Sequence, residues 1–491
     1  MDERAALART ALSSRVVGRD PELDHLRAAV DAAIAGFGSM VFLVGEAGIG
    51  KSRLAAEVAS DAARRGLAVL RGRAVPTSTP VAYRPLAEAL CSVVRAGVVA
   101  SDDVGEYRRT LSRLVPEWQT EAPLAVDDSV VALAESVLRF LRVAGGSEGC
   151  VLVLEDLHWS DPDTVRVTEY LADNLRSERT LCVVTLRDEQ PSPALRLAHD
   201  LAARRVSPIV RLSRLTPDEV AEMVESCLNA PAVDGDVLEF AARADGVPFL
   251  VEEVLAAGVG SGALVPHGET WTVSDTAGPV IPLTFADSIR RRLAALGEDT
   301  RAVLVAAAVL GRRFEWSLLP AITERAEAEV LAALRRAVDA QILTIDAAEP
   351  TFRFRHALSR DAVLDDLLPP EVAMLSRRAL GAVEAAHPEL DDAWRELAAE
   401  LADGAGDRQR AAHLRLDAAR RALAAGALAS AETTLDRARA HADDRTAAEV
   451  DECLLAVLSL AGKWDRAQEV AEALLTRVAN DEGAPRRRAE L

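Results

Sequence analysis

Gly45-Glu46-Ala47-Gly48-Ile49-Gly50-Lys51-Ser52 fits the spacing G-x-x-x-x-G-K-[ST], and its flanks leave few folds open. Met40 to Val44 before it reads as a buried strand. Ser52 to Ala63 after it reads as a helix with Leu54, Val58 and Ala62 on one face. A loop of this kind closes backbone N–H groups around phosphates, while the lysine ammonium reaches the β- and γ-oxygens. Lys51 and Lys463 are the only lysines among 57 basic residues. A chain that writes arginine nearly everywhere keeps lysine here because a planar guanidinium cannot replace a compact point charge under the phosphates. The string predicts a nucleoside triphosphate site on a parallel α/β sheet.

Strand candidates at 40–44, 67–71, 150–154, 181–186 and 208–212 alternate with amphipathic helices, the order expected of such a sheet. The segment around 85–145 is a helical insertion, with Val130, Leu133, Val137 and Leu141 forming its apolar stripe. Residues 1–215 are therefore expected to form the α/β core and 216–258 a helical lid, opening at the cap-like Thr216-Pro217-Asp218-Glu219. The Gly/Ser-rich Gly258 to Gly262, then a hairpin around Trp271, marks a linker or small excursion over 259–282. Residues 283–368 read as helix, helix, helix and two short strands (Ile342–Ile345 and Thr351–Phe354), the order of a winged helix. Only helices are expected over 369–491. There Ala425-Gly426-x4-Ala431 recurs as Ala461-Gly462-x4-Ala467, with an earlier Ala405-Gly406-x4-Ala411, the signature of a tetratricopeptide-like solenoid. The repeat reaches Leu491 with no obvious polar capping helix, which leaves open whether the natural protein continues.

The length, 491 residues, allows three or four cores. No apolar run is long enough to cross a bilayer and Met1-Asp2-Glu3-Arg4 opens no secretory signal, so no membrane role is expected. Cys91, Cys150, Cys182, Cys227 and Cys453 form no C-x-x-C pair and suit a reducing cytoplasm as small core residues. A formal charge of −20 disfavours a general nucleic-acid surface.

Val151-Leu152-Val153-Leu154-Glu155-Asp156 is an apolar strand ending in two acids. Beside a phosphate loop, such a strand brings carboxylates to the edge where Ser52 holds Mg²⁺; one orients the hydrated metal and the other polarises the attacking water. Glu155 and Asp156 are both candidates for either task. His158 and Trp159 follow in a turn on the presumed γ-phosphate side, with loop packing the alternative. Thr185 or Arg187, ending a third strand, could sense a γ-phosphate. Val17-Gly18-Arg19 could hold the adenine through a backbone turn and a side chain.

Val17-Gly18-Arg19-Asp20-Pro21-Glu22-Leu23, the phosphate loop, Glu155-Asp156-Leu157-His158-Trp159-Ser160-Asp161-Pro162 and Thr185-Leu186-Arg187-Asp188-Glu189 occur in this order. Together they resemble the signal-transduction ATPases with numerous domains (STAND), specifically the ATPase region of large LuxR-type regulators related to the maltose regulator. Gly246-Val247-Pro248 resembles the family's G-x-P element in the lid. Phe352-Arg353-Phe354-Arg355-His356-Ala357-Leu358 resembles the winged-helix segment whose histidine reads the nucleotide phosphates. The resemblance spans about residues 14–380. It implies an AAA+/STAND-like P-loop fold that binds ATP or ADP with Mg²⁺. Its nucleotide contacts would be Val17, Gly18, Arg19, Gly45, Gly48, Gly50, Lys51, Ser52, Arg53, Pro248 and His356. The reaction would be carried by Lys51, Glu155, Asp156 and Arg187, the metal by Ser52, Glu155 and Asp156. It further implies a closed ADP state, an open oligomerising state favoured by ATP and an inducer on the helical repeat, and DNA contact only through a separate C-terminal helix-turn-helix. Two departures stand out: Glu155 where aspartate is commoner, and Ala357 after His356 where plant and animal relatives carry aspartate. The expected activity is a slow, regulatory ATPase. A non-hydrolysing nucleotide-bound scaffold and an AAA+ motor are the rivals, and a small-molecule kinase fits least.

Overall fold

The computed structural model describes residues 13–479 apart from 14, 77–80, 119–129, 190, 231–232, 268–269, 275–292, 294–295, 341, 346–350, 356 and 391. They fall into two compact units. One, the core unit, comprises Asp20–Ala47, Lys51–Leu212 and Arg408–Leu491. The other, the lid unit, comprises Met1–Arg19, Gly48–Gly50 and Ser213–Asp407.

The core unit is built on five parallel strands: β1 (Ser39–Val44), β2 (Ala68–Arg73), β3 (Cys150–Glu155), β4 (Thr180–Leu186) and β5 (Ile209–Arg211), in the spatial order β2-β3-β4-β1-β5. Every residue of β4 is buried, as expected where helices cover both faces and strands read as unbroken apolar runs. Met40, Phe42 and Val44 share one cluster with Leu152, Leu154, Cys182, Val184 and Leu186. That face is covered by α3 (Arg84–Arg95), α5 (Val130–Gly145), α6 (Pro162–Asn174) and α7 (Pro193–Ala203), with the short α4 (Arg108–Leu111) beside α5. The alternate residues Val41, Leu43, Val151 and Val153 are equally buried and point the other way. There α1 (Asp20–Ile34) and α2 (Lys51–Arg64) pack on the sheet. This is the sheet of a P-loop NTPase, and the strand expectations hold to within two residues.

Four further helices belong to the same unit: α17 (Arg408–Ala424), α18 (Leu428–Arg439), α19 (Asp444–Leu460) and α20 (Trp464–Ala479), each packed on the next. Leu416, Ala431, Leu435, Val450, Leu454, Val457 and Val470 make their shared core. The recurring Ala-Gly pair has a local cause. Gly426 and Gly462 have φ of +70° and +69°, the left-handed stop that ends one helix so that the next can fold back. Ala431 and Ala467 then sit buried one turn into the following helix, small enough for close approach.

In the lid unit come α8 (Pro217–Leu228), α9 (Gly235–Ala242), α10 (Pro248–Ser261) and the hairpin β6 (Leu264–His267) and β7 (Thr270–Val273). Thr216 and Glu219 form the reciprocal capping box that starts α8. The linker expected at Gly258 to Gly262 is corrected: α10 runs through Gly258 and Gly260 and stops at Gly262. Gly258 serves packing instead, because a Cβ there would lie 2.7 Å from the Leu264 side chain and 2.9 Å from that of Phe240. Next come α11 (Gly297–Leu310), β8 (Arg313–Glu315), α12 (Leu319–Thr323), α13 (Glu327–Asp339), β9 (Leu343–Ile345) and β10 (Thr351–Phe354). Strand β8 was not expected; it completes an antiparallel sheet of order β8-β10-β9. Phe314 on β8 lies 6.2 Å from Phe352 and 6.0 Å from Phe354, ring centre to ring centre. Helices α14 (Ala357–Asp365), α15 (Pro369–Ala386) and α16 (Asp392–Gly404) follow. The helices expected as one block over 369–491 therefore divide, α15 and α16 with the lid unit and α17 to α20 with the core unit.

Candidate nucleotide site

Strand β1 ends at Val44 and the chain turns through Gly45, Glu46 and Ala47 before Lys51 opens α2. Lys51 is buried, and its Nζ donates to the Gly45 and Glu46 carbonyls, 2.7 Å each. Desolvation lowers its pKa to about 8, opposed by Asp156 and reinforced by Arg187. Ser52 and Arg53 follow, half-buried, in the first turn of α2, whose free N–H groups and dipole favour an anion. The Ala47 N–H donates to Glu189 Oε1 at 2.8 Å, so a carboxylate occupies one amide of the loop.

Strand β4 separates β1 from β3, which places the loop and the acids on either side of one strand end. Glu155 closes β3. Asp156 adopts the left-handed conformation, φ +55°, and its N–H donates to Thr185 Oγ1 at 2.8 Å. Thr185 thus fixes the turn that aims the acids, and Arg187 lies just past the end of β4. The acids share a partner that the sequence did not disclose. Arg73, the last residue of β2 and in register with Glu155, pairs with Glu155 and lies 3.7 Å from Asp156. Side-chain exposure of 13% and 14% leaves both carboxylates half in the protein, where such pairing is stronger than at the surface. Strand register, the signal needed to find Arg73, is not visible in a local sequence window.

His158 and Trp159 form the 3₁₀ turn after Asp156, ring centres 5.1 Å apart. Both His158 ring nitrogens are buried without a hydrogen-bond partner among the described residues, and desolvation lowers its pKa to about 4. Asp161, fully enclosed, has its pKa raised to about 6 by burial, against the hydrogen bonds it accepts.

In the lid unit, Gly18 turns with φ +63° and Val17 is buried in the cluster formed by α8, α9 and α10. Arg19 is 5% exposed; its guanidinium donates to the Ser213 carbonyl and, at 3.5 Å, to the Ile49 carbonyl. Gly48 and Gly50 have φ of +81° and +106°, and the Phe249 N–H donates to the Gly48 carbonyl at 3.3 Å. Pro248 is the first residue of α10, where its missing N–H costs nothing. His356 lies outside the described residues.

Hard oxygen donors at Ser52, Glu155 and Asp156 suit Mg²⁺, which takes one or two carboxylates and completes its shell with phosphate and water. Among the described residues no three His, Cys, Asp or Glu side chains converge on a metal position. Ser52 with one or both acids would hold such an ion together with a phosphate. Among the described residues no helix is long and apolar enough to cross a membrane.

A family model described as an AAA ATPase domain matches residues 15–184. The chain is 25% identical over 394 residues to an uncharacterized protein of Rhizobium meliloti (strain 1021), a match covering 75% of this chain and 37% of that protein. It therefore spans little more than a third of that curated relative's length. Similar solved structures include a STAND protein with a tetratricopeptide repeat sensor from Pyrococcus horikoshii. Its TM-score is 0.45 at 14% identity, over 96% of this chain and 66% of that one. The Aeropyrum pernix ORC2 protein, in ADPNP-ADP complexes, gives 0.31 at 13% identity, over 75% and 96%. The sheet order is that of a P-loop NTPase fold, and residues 15–184, which carry most of that sheet, are similar to an AAA ATPase domain.

Proposed function

We propose that this chain is a cytoplasmic nucleotide-operated switch, which binds ATP with Mg²⁺, hydrolyses it slowly and forms the sensor and ATPase portion of a LuxR-type transcriptional regulator. The observation that carries this is the placement of a phosphate loop and two acids on either side of β4, with Arg73 paired to both acids. Lys51 and the loop amides bind the β- and γ-phosphates, and Arg53 lies at the same helix end. Ser52 with Glu155 or Asp156 would hold the metal, and the remaining acid would polarise water. Mg²⁺, when bound with the nucleotide, would supply charge neutralisation at the phosphate oxygens. Arg187 senses the γ-phosphate. Arg73 competes for the carboxylates that the reaction needs, which favours slow turnover over the pace of a motor. Val17, Gly18, Arg19, Pro248 and His356 are the proposed contacts from the lid and winged-helix segments. The β8-β10-β9 sheet with α11, α12 and α13 supports a winged helix acting as a structural arm. Its partners would be an inducer on the helical repeat and further copies of itself, with DNA reached through a separate module.

Turnover and sedimentation test this together. Mg²⁺-dependent ATP hydrolysis well below one per second, with assembly seen only with ATP, is expected. Tightly held ADP without turnover would identify a scaffold, and a constitutive hexamer with fast turnover a motor.

A further inference from the structure

Helix α18 begins with Ala427 at its N-cap position and has no capping side chain of its own. Its first N–H groups need an acceptor, and one comes from another part of the fold. Asp163, in the first turn of α6, accepts from the Ser430 N–H at 3.0 Å and from Ser430 Oγ at 2.8 Å. Ser430 Oγ also lies 3.1 Å from Asp161 Oδ1. Asp161 is the N-cap of α6, accepting from the Asp163 and Thr164 N–H groups at 3.1 and 2.9 Å, from the Thr164 hydroxyl, and from the Tyr83 N–H at 3.0 Å. Two helix N-termini thus converge on two carboxylates that are 1% and 0% exposed. Buried carboxyl groups of this kind are tolerated because hydrogen-bond donors and both helix N-termini surround them, and Arg166 lies 3.4 Å from Asp163 Oδ1.

The position of this node is what gives it a use. Asp161 lies five residues beyond Asp156, at the far end of the 3₁₀ turn that starts from the acids of β3. The contact is also of a type that can open. Alongside it Ala427 enters the core of the sheet and Ala422 packs against that core, both of them small, and carboxylates exposed by release are taken up by water. A wide apolar seam would resist opening far more.

We propose that the Asp161–Asp163–Ser430 node is a releasable joint through which the acidic end of β3 and the helical repeat sense each other's state. This rests on the nucleotide reading above. Movement of the turn when a γ-phosphate and metal are bound shifts the start of α6, and α18 loses its borrowed cap. A ligand that pulls α18 away would, by reciprocity, alter nucleotide handling.

Hydrogen exchange of the whole chain, resolved over 428–434, tests the joint. With ADP these amides exchange slowly, and with Mg-ATP at least about tenfold faster, which is a shift of roughly 1.4 kcal/mol. Ser430→Ala and Asp163→Asn exchange at the fast rate with either nucleotide, while nucleotide affinity stays within about twofold. Ser430→Thr, which keeps the hydroxyl, restores the difference. Equal exchange in both states of the wild-type chain, with nucleotide demonstrably bound, overturns the joint and leaves the nucleotide reading standing. Absence of nucleotide binding overturns both. If Asp163→Asn fails to fold, Ser430→Ala decides alone, and a wild-type nucleotide response in it counts against the joint.

Discussion

Lys51 is a buried cation whose charge depends on what fills the loop around it. Without phosphate its pKa is about 8, because burial penalises the ammonium. Triphosphate binding demands the charged form, so protons are taken up on binding above that pH. Nucleotide affinity is expected to be level between about pH 7 and 7.5 and to weaken above 8, by up to tenfold per unit. A titration with fluorescent ATP across that range checks it. Lys51→Ala should abolish binding while leaving the melting temperature near the wild-type value, and unchanged affinity in that variant would remove the site. Arg73 gives a second test. Arg73→Ala frees Glu155 and Asp156 from a competing cation, which should lower the Mg²⁺ concentration for half-maximal turnover by roughly fivefold, about 1 kcal/mol. A raised Mg²⁺ requirement in calorimetry of Mg-nucleotide binding would mean that Arg73 assists the metal rather than competing with it. At this scale the sequence marked Lys51, Ser52 and the two acids as candidates, because each lies in a contiguous string with its own chemistry. It did not show Arg73, Glu189 or Ser430, whose partners are 82, 142 and 267 residues away.

Among the elements, the lid shows how a short motif is fixed by sterics. Gly246, in the turn before Pro248, has φ +69°, and a Cβ there would lie 2.3 Å from the Leu215 carbonyl oxygen. The Leu215 N–H in turn donates to the Gly246 carbonyl at 2.8 Å, so neither strand of the contact can retreat freely. Gly97 has nearly the same φ, +70°, with nothing near its missing Cβ. Gly97→Ala should therefore cost about 1 kcal/mol for conformation alone. Gly246→Ala should cost at least about 2 kcal/mol more and loosen α8 to α10, which urea unfolding followed by hydrogen exchange would detect. Similar costs for the two would show that the backbone at Gly246 yields. Strands β1, β3 and β4 were legible because each is a largely apolar run bounded by turns, and the shorter apolar stretches of β2 and β5 followed from the alternation with helices. Strand β8 was not, since one phenylalanine between Arg313 and Glu315 gives no periodicity and its place is set by pairing with β10. Gly258 misled for the opposite reason: a glycine kept for contact with Leu264 looks, in sequence, like one kept for flexibility.

For the whole molecule, charge decides what its surface can meet. A formal net charge of −20 on 491 residues repels a polyanion, and phosphate contacts supply most of the affinity for duplex DNA. The helices and sheet over 297–354 have the element order of a DNA reader, yet order alone carries no affinity. Arg313 and Arg353 on that sheet already engage Thr351 and Thr344. The chain by itself should therefore bind a 30-base-pair duplex no more tightly than about 10 µM at physiological salt, without sequence preference, and with the steep salt dependence of nonspecific contact. Fluorescence anisotropy at several salt concentrations, with ATP and with ADP, measures this directly. Nanomolar binding that distinguishes one duplex from another would make residues 297–354 a true recognition element. It would also replace the proposed switch acting through a separate DNA module with a protein that reads DNA itself.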